Sequence, residues 1–238
     1  MPVETILLPR EIATRKTKEK IVEAAGTLMK QFDFRYITVK HICTEADVAY
    51  GSFYHHFGSK ENVIYAYCKG LFDKMLEANP APGDVKKDDY IKSILWSLLV
   101  YAKFCELMGK DIIKYIYQNC PDDLFYEHHF GRLVRDVIRS GYDRGLVELR
   151  GHPERLPNIS DDVAVLYKGV VMCWFGNLTM ESHRGRLCVG MEHAAHQMLG
   201  GFRTENYHEM TGRSFRMVTD EEDFDRLFHI IPELRAEA

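Results

Sequence analysis

Long apolar runs are missing from this 238-residue chain. None approaches the ~18 residues a membrane helix needs, so no span is expected. Met1–Arg10 lacks a basic stretch leading into an apolar core, which argues against a signal peptide and makes a cytoplasmic location the expectation. Paired cysteines are missing as well: Cys43, Cys68, Cys105, Cys120, Cys173 and Cys188 stand singly, with no CxxC. That pattern excludes a zinc ribbon and a disulfide framework, and leaves thiols that pack as small hydrophobes. A redox switch among Cys105, Cys120, Cys173 and Cys188 has no sequence signal behind it, since nothing marks a low thiol pKa. There is no phosphate loop, no nucleophile–base motif and no metal-ligand spacing, so neither catalysis nor a bound cofactor or metal is expected. His128-His129 comes nearest to a metal pair, but adjacent residues on a helix point about 100° apart. No internal repeat, low-complexity tract or sustained apolar–polar alternation is present, which argues against a sheet.

An excess of positive charge is lacking too, the net charge being −4. Its distribution says more than its sum. Arg10–Lys74 holds eleven Lys and Arg against eight Asp and Glu, a local +3, and Met75–Ala238 carries −6 once Glu4 is counted. A mildly basic head on an acidic body suits polyanion contact at one end. With 46% hydrophobic and 28% charged residues, the chain has the composition of a globular protein with a real core.

Helical periodicity runs through almost the whole sequence, and the fold class expected is all-α. Ile21, Ala24, Ala25, Leu28, Met29 and Phe32 make the stripe of a first helix beginning near Arg15. Thr38 stands as an N-cap ahead of Val39, Ile42, Cys43 and Ala46, and Asp47-Val48 ends that short helix. Another short segment runs from Ala49 to Phe57. After Gly58, Ser59 heads a longer helix striped by Val63, Ile64, Tyr67, Cys68, Leu71, Phe72 and Met75. Asn79-Pro80-Ala81-Pro82-Gly83 breaks the pattern and marks the main boundary. Further helices are expected around 88–108, 111–119, 122–144, 160–183 and 187–202. Thr219–Glu222 resembles a capping box before Phe224, Leu227, Phe228 and Ile231, whose single apolar face suits a short packed helix. The expected organisation is an arm over 1–14, a head over 15–79, a helical domain over 80–204, and an extension over 205–238.

The most informative stretch is Ile37–Glu61, ITVKHICTEADVAYGSFYHHFGSKE. A short helix, a turn, and a second helix ending Phe53-Tyr54-His55-His56-Phe57 ahead of Ser59-Lys60-Glu61 resembles the signature of the TetR family, over roughly Arg15–Met75. Two short helices joined by a tight turn can set one of them in the major groove of DNA, with Val39, Ile42, Val48, Phe53 and Phe57 as inward anchors. The resemblance implies phosphate contacts from Thr38 and Tyr54, and from Lys60 at a helix N-terminus. Tyr50, Ser52 and His55 are candidates for reading base edges, with Gly51 leaving room for close approach. Arg15, Lys16 and Lys18 are candidates for phosphate or minor-groove contact. The chain departs from the family pattern at Asp47, where the turn usually has Gly, and at Ala49-Tyr50, where a capping Ser or Thr and often Lys stand. Asp tolerates the left-handed turn; Ala cannot cap, at a cost on the order of 1 kcal/mol.

For the larger domain, the resemblance implies pairing of two copies through the last two long helices. The candidates are Tyr167, Val171, Trp174, Phe175 and Leu178 on one helix and Gly190, Ala194 and Met198 on the next. It also implies an effector pocket among the large residues that follow Tyr90. Trp96, Tyr101, Phe104, Tyr115, Tyr126, His128 and His129, with Cys173, are the candidates for holding a mostly apolar small molecule. The function expected is a homodimeric repressor, released from a near-palindromic double-stranded operator by that molecule. A ligand-independent DNA-binding protein or an activator, and a helical binding protein or enzyme with no DNA role, are the alternatives.

Overall fold

The structure is a computed structural model that describes residues 9–80, 90–119, 139, 140, 142, 143, 145, 159–176, 186–199 and 228–234. Among the described residues there is no strand; the chain is all-α. It divides into two units. One is residues 1–71 with 118–121, and the other is 72–117 with 122–238.

The head is built from α1 (Pro9–Gln31), a 3-10 turn (Phe34–Tyr36), α2 (Val39–Ala46), α3 (Tyr50–Phe57) and the start of α4 (Lys60–Ala78). The first helix starts six residues before the point where its periodicity becomes visible. Pro9 suits a first helical position and Glu11 suits the positive end of the helix dipole. Arg10–Lys16 is exposed throughout, so no apolar stripe announces that extension. From Ile21 onward the stripe is real: Ile21, Ala24, Ala25 and Leu28 pack with Ile37, Ile42, Cys43, Ala46, Phe53 and Val63. Gly26 has a specific job in this packing. A methyl group there would lie 2.3 Å from Cε2 of Tyr67, so the helices approach as closely as they do only because position 26 has no side chain.

The second unit holds the end of α4, then α5 (Tyr90–Met108), α6 (Lys110–Asn119) as far as Tyr117, α7 (Ile159–Phe175) and α8 (Leu187–Leu199). Every residue from Ile94 to Cys105 is buried, so α5 is a central helix covered on all sides, with α7 and α8 packed on it. The Glu106 carboxylate accepts from the Cys188 N–H at 3.2 Å and lies 3.5 Å from Arg186 and 3.9 Å from Lys103. It thus supplies an acceptor and a negative charge to the N-terminus of α8. Of the expected helix over 122–144 only 139, 140, 142 and 143 are described, and they are helical; the segment Thr219–Leu227, and Cys120, Tyr126, His128, His129 and Leu178 lie outside the described residues. So does the side chain of Met198.

Candidate nucleic-acid interface

The head places α2 and α3 by caps and a turn that the sequence encodes locally. Thr38 Oγ1 accepts from the His41 N–H at 3.2 Å, and His41 Nδ1 accepts from the Thr38 N–H at 3.4 Å. This is a capping box in which a histidine takes the usual place of Glu or Gln. With its oxygen accepting from His41, the Thr38 hydroxyl keeps its proton to donate outward. Asp47 adopts φ 51°, ψ 55°, the left-handed conformation, and the Val48 N–H donates to Cys43 at 3.1 Å, so Asp makes the turn in place of Gly. Ala49 opens α3 without any side-chain cap. Gly58, at φ 72°, closes it, its N–H donating to the Tyr54 carbonyl at 3.1 Å.

On α3, Phe53 is fully buried and fixes the helix to the core. Tyr50 and Tyr54 are about half exposed, and Gly51 and His55 are exposed with them. Positions i, i+1, i+4 and i+5 form one continuous face, so these four stand together. Tyr54 is held edge-on against Phe53, ring centres 5.4 Å apart, which limits where its hydroxyl can point. Ser52 sits half-buried at the margin of the face, and His56 and Phe57 are half-buried. A methyl group added at Gly51 would meet nothing within 4 Å.

The cationic candidates differ in setting. Arg15 and Lys16 are exposed; Arg15 lies 3.4 Å from Glu19, an exposed pair of little energetic weight. Lys18 stands close enough to α3 to matter electrostatically. The His56 pKa is lowered by burial first, then by the charges of His55 and Lys18. Lys60 is half-buried and donates to the Phe34 carbonyl at 3.3 Å, so a phosphate contact from it requires exchange of that bond. Ser59 caps α4 through the Asn62 N–H at 3.2 Å, while Asn62 Nδ2 donates to Phe57 at 2.7 Å. The turn before α2 adds residues that sequence reasoning missed. Asp33 caps it and grips the Arg35 guanidinium, which holds the Asp33 pKa down to about 2. Tyr36 is 75% exposed two residues before Thr38; an aromatic so close to an N-cap was the available signal.

The expected effector and pairing residues of the second unit fall into different settings. Tyr101 and Phe104 are buried in an aromatic group. The Tyr101 ring lies 5.3 Å from Phe72 and 5.2 Å from Tyr167, and its hydroxyl is 3.0 Å from that of Tyr117. Burial, with Cys105 and the other tyrosines, pushes the Tyr101 pKa well up. Tyr115 and Cys173 are half-buried. Trp96 is elsewhere: its Nε1 donates to the Asn79 carbonyl at 2.9 Å and its ring lies 5.2 Å from Phe228. Of the pairing candidates, Tyr167, Val171 and Trp174 face inward, with Lys110 5.5 Å above the Trp174 ring. Phe175 is half-buried, its ring 5.6 Å from Tyr117; Gly190 is buried and Ala194 half-buried. The side of α7 left open is another one. Val165 is 72% exposed and Met172 53%, with Gly169 and Gly176 exposed in the same row.

Among the described residues no group of three His, Cys, Asp or Glu could hold a metal, and no helix is long and apolar enough to cross a membrane. Cys43, Cys68, Cys105 and Cys188 are buried, and none of them is in a disulfide. Burial pushes the Cys188 pKa well up, with the Glu106 charge adding to it, which suits an inert thiol.

Residues 21–67 match the model of the bacterial regulatory proteins of the tetR family. Over those residues the head resembles that family. Its helix-turn-helix is α2 and α3, and DNA-binding transcription regulation is the activity of that family. Over most of its length the chain also shares its fold with a protein of unknown function from Rhodococcus sp. RHA1. The TM-score is 0.52 and the identity 12%, over 86% of this chain and 100% of that one. Looser likenesses include a putative tetR family transcription regulator from Shewanella sp. PV-4, with TM-score 0.49, 16% identity, and coverage of 79% and 99%. Another is the TetR family regulator PfmR from Thermus thermophilus, with TM-score 0.46, 15% identity, and coverage of 77% and 99%. No curated protein matches the chain significantly.

Proposed function

We propose that the protein is a homodimeric repressor that binds a near-palindromic operator and leaves it when a mostly apolar small molecule occupies the second unit. The observation that carries the reading is the face of α3. Tyr50, Gly51, Tyr54 and His55 are turned to solvent together on a helix whose opposite side is pinned by Phe53. A protein with no DNA to read gains nothing from exposing two tyrosines there. Thr38 and Tyr54 hydroxyls would donate to phosphates, and Tyr50, Gly51 and His55 would meet base edges. Lys18 and, once released from Phe34, Lys60 would neutralise phosphate charge.

Two copies are needed because one short helix covers few base pairs. A two-fold pair sets its recognition helices one DNA turn apart, ~34–36 Å. Pairing would use the open side of α7, where Val165, Gly169, Met172 and Gly176 recur at spacing 4, 3, 4, the interval of a two-helix seam. The effector would enter the group around Tyr101, where apolar rings surround a pair of hydroxyls able to orient a polar substituent. An effector favouring a protomer geometry unlike the DNA-bound one would shift the population off the operator.

The test is selection of bound duplexes from a random pool at two salt concentrations, with the mass of the complex measured afterwards. A palindromic consensus bound by two copies is the expected result. Tyr54→Ala should bind that duplex at least tenfold more weakly while its unfolding temperature stays within a few degrees of wild type. Undiminished binding by Tyr54→Ala would remove the α3 face from the interface, and a single copy on an asymmetric site would refute the pairing.

A further inference from the structure

The last described stretch of the chain, Phe228–Leu234, docks on the end of α4. Asn79, one residue past that helix and 6% exposed, uses its side-chain amide in full. Nδ2 donates to the Met75 carbonyl at 2.8 Å and to the His229 carbonyl at 2.9 Å, and Oδ1 accepts from the His229 N–H at 2.7 Å. The amide therefore pairs with the backbone of residue 229, 150 residues away in sequence, as a neighbouring strand would. The Asn79 backbone carbonyl accepts from Trp96, whose ring lies on Phe228. Outside this contact, Lys74 Nζ meets Glu233 Oε1 at 2.6 Å, and Ile231 and Leu234 are buried alongside.

We propose that Phe228–Leu234 is a latch on α4, and that its release is a route by which the C-terminal tail controls the DNA-reading head. Three observations lead there. The docked piece is only seven residues long, and apart from the buried Phe228, Ile231 and Leu234 it is held by a few polar bonds and one exposed ion pair. Segments of that kind open far more readily than a core helix. The bonds it makes are replaceable, since Asn79 contacts backbone rather than a matched side chain. Finally, the element it holds is the one that begins in the head: the first turn of α4 carries Lys60 and Asn62, Lys74 lies one turn before its end, and Asn79 follows its last residue. A continuous helix of 19 residues is a stiff rod of about 28 Å. Holding one end restricts the orientations of the rod; freeing it lowers the fraction of molecules competent for DNA, and apparent affinity falls by that fraction.

The latch itself does not depend on the proposed function, but the affinity readout does, so the experiment has two arms on the full-length protein. Hydrogen exchange is followed in the last turn of α4, and affinity is measured for the duplex enriched from a random pool. Phe228→Ala and Asn79→Ala should raise exchange over Met75–Asn79 at least tenfold, leave α3 amides unchanged, and weaken duplex binding three- to tenfold. Lys74→Glu alone should do the same to a smaller degree, and Lys74→Glu combined with Glu233→Lys should restore both readouts. General loss of packing would not be reversed by swapping two surface charges. Unchanged exchange in both Phe228→Ala and Asn79→Ala would overturn the latch. Raised exchange with unaltered duplex affinity would overturn its control of the head. If the wild-type protein binds no duplex, the DNA reading and the control fall together, and exchange alone decides whether Phe228–Leu234 holds α4.

Discussion

Gly26 and Tyr67 illustrate how a single atom position can decide the packing of the head. The ring occupies the space where any side chain at position 26 would begin. Gly26→Ala should therefore destabilise the protein by ~1–3 kcal/mol despite the better helix propensity of alanine. Combining it with Tyr67→Ala should recover part of the loss in a double-mutant cycle read by denaturant melting, whereas strict additivity would show that the two do not meet. His56 makes a second prediction. Its pKa in the folded head lies below the usual 6.5, so the unfolded chain binds the extra proton more readily. The stability it contributes is complete above pH 6.5 and declines as pH falls through that value. His56→Gln should flatten that decline between about pH 7 and pH 5, and an unaltered pH profile of unfolding would show that His56 does not titrate with folding. Asp33 works in the same direction at lower pH. Its contribution is present above 3.8 and fades as pH falls towards 2, where the bond to Arg35 is lost.

Among the elements, the short ones were the most legible in the sequence. Thr38, Asp47, Gly58 and Ser59 act through bonds to residues at most five positions away, so the ends of α2 and α3 and the start of α4 could be read from the local string. The inward anchors were legible for the same reason: Ile42 and Phe53 are the apolar members of short periodic runs. The side on which α7 remains open was not legible. Val163, Leu166, Tyr167, Val170, Val171 and Trp174 spread around that helix, so periodicity alone cannot say which apolar residues face α5 and which face outward. The packing selects Tyr167, Val171 and Trp174 for the interior and leaves Val165 and Met172 outside. If two copies pair through α7 as proposed, Met172→Glu should convert the pair to a single chain, measured by light scattering. Trp174→Ala, by contrast, should lower stability by about 3–5 kcal/mol as a buried aromatic does. A pair that survives Met172→Glu would move the seam off α7. The tail was half legible: the apolar character of Phe228 and Ile231 pointed to packing, but the site that receives them depends on Asn79 and Trp96, more than 100 residues earlier.

At the scale of the whole molecule, charge of opposite sign is separated along the chain, +3 over Arg10–Lys74 and −6 from Met75 onward. Association with DNA should be steered head-first and should weaken with salt. Four cationic candidates per protomer, Arg15, Lys16, Lys18 and Lys60, set an upper bound for a bound pair. The plot of log affinity against log salt should be no steeper than about −7. A steeper slope, from titrations at several salt concentrations, would require phosphate contacts beyond those residues. Sequence specificity obeys a different constraint, and the empty space at Gly51 bears on it. Because a Cβ there meets nothing within 4 Å, a small side chain fits at the position without clash. Most replacements other than proline also gain roughly 0.3–1 kcal/mol of helix propensity over glycine. If Gly51 meets base edges as proposed, one substitution there changes operator preference and leaves the architecture of the head intact, so duplicated genes diverge in target before they diverge in fold.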